Sequence, residues 1–140
     1  MNGKLAKVLI LEDDVWFAET LVEVMASEYE VKVTSDPEKI FAVVDAWRPD
    51  VLLADVILGA KNLFVLLNEM QSYVDTRKLP VVILSSVAGQ ISRNDVAEFN
   101  VKKVLDKATI TPEILRETLC EIVEALRKPA AKIREKARVQ

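Results

Sequence analysis

Carboxylates stand where two apolar runs stop. Val8-Leu9-Ile10-Leu11 ends on Glu12-Asp13-Asp14, and Val51-Leu52-Leu53-Ala54 ends on Asp55. Two further runs end on other chemistry: Val81 to Leu84 on Ser85 and Ser86, and Val101 to Leu105 on Asp106 and Lys107. If these runs are parallel strands, their carboxyl ends share one edge of a sheet, where open α/β sheets bind ligands. Carboxylates crowded at that edge repel one another unless a cation lies between them. An all-oxygen donor set suits Mg2+, a hard cation that keeps several waters. A carboxylate oxygen can also attack a phosphoryl group, as in aspartyl-phosphate chemistry. The metal and Lys107 would then neutralise charge on the transferring oxygens, and Ser85 could hydrogen-bond the group after transfer.

The pattern between these residues supplies the elements that must position them. The first strand runs from Lys7 to Leu11. Asp14 is placed to cap a helix with the stripe Phe17, Leu21 and Val24. Val31 to Thr34 is a short second strand. Asp36-Pro37 starts a second helix, a capping carboxylate followed by proline at the first helical position. Its stripe is Ile40, Val44 and Trp47, and it ends before Pro49 because the residue preceding proline avoids the helical region. Val51 to Val56 is the third strand. Gly59 breaks the chain, and Leu63, Leu66, Leu67 and Met70 mark a third helix.

Pro80 opens the fourth strand, and Ser92 to Asp95 reads as a capping box for a short helix ending near Phe99. The fifth strand is Val101 to Leu105. Thr111-Pro112 starts a last helix with the stripe Leu115, Leu119, Ile122 and Leu126, which Pro129 ends or kinks. Five strands alternating with five helices predict a doubly wound parallel α/β sheet, covered on both faces by right-handed crossovers. The most apolar strands should be central.

Composition narrows the function. The 140 residues are 51% apolar, enough for one domain with a substantial core. The net charge of −3 gives no sign of a nucleic-acid field. Without histidine there is no Ser-His-Asp or Cys-His unit and no histidine metal ligation. The single cysteine, Cys120, permits no intramolecular disulfide and reads as core or boundary packing. Trp16 and Trp47 read as helix-face packing. The first apolar run is too short for a signal or a membrane span. The expected setting is the cytoplasm, with no membrane partner. Residues 129–140 form a basic tail, with Lys132, Arg134, Lys136 and Arg138 against Glu135. The bland reading of that tail is a solvated terminus.

The order of these pieces resembles the receiver domain of two-component response regulators. The resemblance rests on Leu11-Glu12-Asp13-Asp14, Ala54-Asp55, Leu84-Ser85-Ser86 and Leu105-Asp106-Lys107, and covers roughly residues 5 to 127. It implies a flavodoxin-like (βα)5 fold with strand order 2-1-3-4-5, a receiver domain over 1–128 and no output domain beyond the tail. It implies Asp55 as phosphoacceptor, Ser85 as switch hydroxyl and Lys107 as phosphate-binding lysine. Mg2+ would be held by Asp13, by Asp55, by Glu12 through water and by the backbone carbonyl of Ile57. The implied donor is a sensor histidine kinase or phosphotransfer protein, and the output is docking to an effector that the sequence does not identify.

This chain departs from the family pattern at several places. Gly59 stands where proline is usual and Leu63 where glycine is usual, which predicts a differently routed loop. Ala108 follows the lysine in place of a cis proline, which predicts another approach for Lys107. Val104 replaces the aromatic ring that rotates on activation, so the output switch should be weaker or different. Lys102 and Lys103 stand where the standard dimer interface carries acids. Ile57 and Val87 are apolar and cannot position an attacking water, which predicts a long-lived phosphoaspartate. Two other functions compete. One is a pseudo-receiver, an interaction module that works without phosphorylation. The other is a phosphatase with an aspartate nucleophile, which would need a second aspartate where Ile57 stands. No GxGxxG follows the first strand to suggest a nucleotide fold.

Overall fold

The computed structural model describes residues 5–58 and 61–127, with Lys61 described by its backbone alone. Gly59, Pro129 and the tail at 129–140 lie outside the described residues, as does the domain boundary at 128.

Five strands form one sheet: β1 (Ala6–Leu11), β2 (Tyr29–Thr34), β3 (Val51–Ala54), β4 (Val81–Ser85) and β5 (Val101–Asp106). They pair in parallel in the order β2-β1-β3-β4-β5, the order implied by the resemblance. Every residue of the central β3 and β4 is buried, whereas the edge strands β2 and β5 mix buried, half-buried and exposed positions. This is the burial expected of a sheet covered on both faces.

The helices are α1 (Val15–Met25), α2 (Ile40–Trp47), α3 (Leu63–Met70), α4 (Val74–Arg77), α5 (Arg93–Val96) and α6 (Pro112–Arg127). One core layer packs α1 and α6 on the sheet through Leu21, Met25, Leu115 and Leu119, against Val8, Ile10, Val51 and Leu53. The other packs α2 and α3 through Ile40, Val44, Leu63 and Leu67, against Leu9, Leu11, Leu52 and Ile83. Alternate residues of β1 and β3 thus serve opposite faces, as the strand period requires.

Several local expectations need correction. The third strand stops at Ala54, not Val56. The Asp55 N–H still bonds the Leu11 carbonyl at 3.1 Å, but the Val56 N–H turns back onto Asp55 Oδ1 at 2.7 Å. The chain then leaves the sheet into a hairpin, Ile57–Leu58 against Lys61–Asn62. Asp36 caps as expected, accepting from the Glu38 N–H at 2.9 Å, but it opens a 3-10 turn, Pro37–Lys39, ahead of α2. Arg48 closes α2 in the left-handed region, φ 56°, directly before Pro49. The Ser92–Asp95 capping box forms with both reciprocal bonds, yet the helix is one turn and ends at Val96. Beyond it the backbone closes in turns, and Phe99 packs near Phe64 with ring centroids 6.5 Å apart. The α4 turn was not signalled by periodicity. It is tied down by buried Thr76, whose hydroxyl donates to the Met70 carbonyl at 2.8 Å.

Three side chains lie elsewhere than expected. Trp16 is 81% exposed, because α1 buries Ala18, Leu21 and Met25 and so turns position 16 to solvent. Cys120 is exposed, because α6 buries Leu115, Thr118, Leu119, Ile122 and Val123. Leu126, assigned to that stripe, is also exposed. Trp47 does pack as expected, half-buried on the second core layer, with the Lys7 and Lys32 ammonium groups over its ring. Among the described residues no helix is long and apolar enough to cross a membrane.

Candidate functional site

The strand ends bring the acids together. Glu12 follows β1 directly, and its N–H bonds the Thr34 carbonyl at 3.1 Å, so the backbone stays in register with β2. Its side chain is buried, and Oε2 accepts the Asp14 N–H at 3.0 Å. Asp14 in turn caps α1, accepting the Phe17 N–H at 3.2 Å, as its position before the helix predicts. Asp13 is exposed at the mouth. Asp55 follows β3 and is buried. One carboxylate oxygen each from Glu12, Asp13 and Asp55 lie within 4.8 Å of one another.

Lys107 enters from the far side of the cluster. Its N–H donates to the Ser85 carbonyl at 3.1 Å, which extends the β4–β5 pairing to the site. The Ala108 N–H bonds Asp106 Oδ1 at 2.8 Å and fixes the turn after it. Among the described residues no peptide bond is cis: Ala108 follows the lysine through a trans bond, and the lysine reaches the acids. Its Nζ lies 2.7 Å from Glu12 Oε1 and 2.9 Å from Asp55 Oδ2. Burial alone would lower the Lys107 pKa. The hydrogen bonds and charges of Glu12 and Asp55 outweigh burial and hold it above its ordinary value.

Ser85 is buried at the end of β4, where its hydroxyl oxygen accepts the Val87 N–H at 3.1 Å. Ile57 lies in the hairpin two residues past Asp55, with its side chain half in solvent. One contact was not legible in advance. Phe17 was assigned to the core stripe of α1, and it does pack at the edge of that core. Its ring also lies 4.4 Å from the Lys107 ammonium. Helical periodicity cannot separate these two roles, because the contact arises from the sheet edge and not from α1 itself.

The cluster suits a divalent cation. Three carboxylates face one ammonium, so the site keeps an excess of negative charge, and its donors are hard oxygens at mutual distances one ion can span. Glu12, Asp13 and Asp55 form a possible Mg2+ site on this ground.

A five-stranded parallel sheet of order 2-1-3-4-5 with an acid cluster and a lysine at its carboxyl edge is a receiver-like architecture. The chain matches the response regulator receiver domain family over residues 8–119 and belongs to that family. It is 29% identical over 140 aligned residues to the protein-glutamate methylesterase/protein-glutamine glutaminase 2 of Oleidesulfovibrio alaskensis. That alignment takes in 90% of this chain but only 38% of the relative. Among solved structures, the chemotaxis protein CheY4 of Vibrio cholerae is similar, with TM-score 0.74 at 21% identity over 84% of this chain and 98% of that one. The receiver domain of the sensor histidine kinase PA1611 from Pseudomonas aeruginosa, solved with magnesium in its active-site cleft, has TM-score 0.71 at 20% identity over the same shares. These two likenesses bear on the fold.

Proposed function

We propose that the chain accepts a phosphoryl group on Asp55 from the phosphohistidine of a sensor histidine kinase or phosphotransfer protein, and signals in the cytoplasm by docking to an effector protein. The observation that carries this reading is the convergence of Glu12, Asp13, Asp55 and Lys107 at one sheet edge. Glu12, Asp13, Asp55 and the Ile57 carbonyl would hold Mg2+, which when bound supplies charge neutralisation for the phosphoryl oxygens. A carboxylate oxygen of Asp55 attacks phosphorus, the P–N bond of the donor breaks, and the electron pair leaves on the imidazole nitrogen. Lys107 holds Asp55 Oδ2 in place before transfer and offers its ammonium to the new phosphoryl oxygens after it. Ser85 stands on the neighbouring strand, and its hydroxyl proton is free to turn toward the phosphoryl group while its oxygen keeps the Val87 N–H.

This is a signalling role, with the covalent chemistry confined to the chain's own Asp55. The methylesterase activity named for the relative concerns a protein of which this chain spans 38%. The docking surface we assign is the face of α5 and β5. It carries a cleft of about 580 Å3 lined by Ile91, Arg93, Phe99, Lys102, Lys103 and Val104. Val104 has no ring to turn inward here, so output through this face differs from an aromatic switch. Its three cations favour an acidic partner. Beryllofluoride with Mg2+ tests the assignment against a module that works without phosphorylation. Phosphorylation at Asp55 predicts Mg2+-dependent chemical-shift changes centred on Asp55, Ser85 and Lys107; no binding would contradict it.

A further inference from the structure

We propose that Phe17 is a positioning residue for Lys107: its ring face and the carboxylates of Glu12 and Asp55 together hold the ammonium where the phosphoryl group is received. The inference rests on the reading of Asp55 as phosphoacceptor and adds a residue to it. The Lys107 side chain is only 18% exposed, so its ammonium has largely exchanged water for protein. It lies on Glu12 Oε1 at 2.7 Å, on Asp55 Oδ2 at 2.9 Å and 4.4 Å from the Phe17 ring centroid. A cation within about 6 Å of a ring centroid is attracted by the ring quadrupole, more strongly when desolvated.

The Phe17 backbone is itself tied to the acid site. Glu12 Oε2 accepts the Asp14 N–H, Asp14 Oδ1 accepts the Phe17 N–H, and the Phe17 ring meets the lysine that Glu12 also binds. The contacts close a circuit from Glu12 back to Glu12. Ala18, Leu21 and Met25 supply the buried face of α1, while Phe17 is only half-buried.

The ring differs from the other two contacts in one respect. The two carboxylates are also the groups that a divalent cation and a phosphoryl group would engage, and each such event draws them away from the lysine. The Phe17 ring takes part in neither. A lysine side chain has four rotatable bonds and scatters when its partners leave. Phe17 keeps it at the site through that exchange.

The test uses the intact chain with Phe17→Leu and Phe17→Tyr. Acetyl phosphate with Mg2+ is the phosphodonor, the labelling rate of Asp55 is one readout, and the NMR shift of the Lys107 ε-methylene is the other. The ring current should move that methylene upfield in the wild type. Phe17→Leu should abolish the upfield shift and slow labelling about 3- to 10-fold, the span of a partly desolvated cation–π contact. Phe17→Tyr should keep both. Wild-type labelling and an unchanged Lys107 shift in Phe17→Leu would overturn the proposal. So would equal slowing by Tyr and Leu, which would mean that packing alone matters. A wild type that takes up no phosphoryl group would overturn the Asp55 reading instead. The Lys107 shift would still decide whether the ring holds the ammonium.

Discussion

Replacing Lys107 with methionine removes the cation that lies between Glu12 and Asp55. Methionine keeps the apolar stem but leaves two buried carboxylates facing each other. At an effective dielectric of about 20, contacts of 2.7 and 2.9 Å give roughly 6 kcal/mol of gross attraction each. Desolvation of the ammonium and both carboxylates takes back most of this, and breaking a buried ion pair costs about 3–5 kcal/mol. The open mouth at Asp13 lets water reach the stranded acids, so we expect about 2–4 kcal/mol, or roughly 10 °C in Tm. The assay is thermal and urea denaturation in EDTA and again in Mg2+. The Mg2+-induced gain in Tm should be larger for Lys107→Met than for the wild type, because the lysine competes for the same oxygens. The pH dependence follows from the raised pKa. The stabilisation is complete below the ordinary lysine value of 10.5 and is lost as pH rises through the higher folded value. The gap between wild type and variant should thus hold constant near neutrality and close only in strong alkali. A variant as stable as the wild type in EDTA, with an equal Mg2+ gain, would refute the reasoning.

Three further outcomes are expected. Leu53→Ala, in the buried centre of β3, should cost about 2–5 kcal/mol in urea denaturation; a cost below about 1 kcal/mol would contradict the core assignment. Cys120 is exposed, but its hydrogen bond to Glu124 at 3.4 Å and that residue's charge raise the thiol pKa. Iodoacetamide near neutral pH should therefore modify it more slowly than a free thiol, and Glu124→Gln should speed the reaction. The phosphoaspartate proposed at Asp55 should be long-lived, because Ile57 and Val87 are apolar, and Ile57→Asn should shorten its decay in a radiolabel chase. A decay unchanged by that substitution would remove Ile57 from the account.

Much of this was legible because strand ends announce themselves. The strand patterns stop at Glu12, Asp55, Ser85 and Asp106-Lys107, and a parallel sheet has no choice but to place those stops on one edge. Caps were readable for the same local reason: Asp14, Asp36 and Ser92 each bond the backbone a few residues on. What periodicity could not supply was the rotation of α1, which buries Met25 and leaves Trp16 in solvent, nor the early exit of β3 after Ala54. The exit of β3 follows from Asp55 taking the Val56 N–H, and the rotation of α1 from what the sheet presents to the helix rather than from the helix's own residues. The Phe17–Lys107 contact is of that kind, since the two residues are far apart in sequence and meet only through the sheet. Ala108 follows the lysine through a trans bond, as its lack of a proline ring predicts, and Asp106 fixes the turn by a side-chain bond.

The most direct test of the central claim is mass spectrometry of the chain after acetyl phosphate and Mg2+, with Asp55→Asn in parallel. The expected result is one phosphoryl group, located on the peptide that contains Asp55, absent from the variant and lost when EDTA replaces Mg2+. A wild type that stays unmodified, or an adduct that persists in Asp55→Asn, would contradict it.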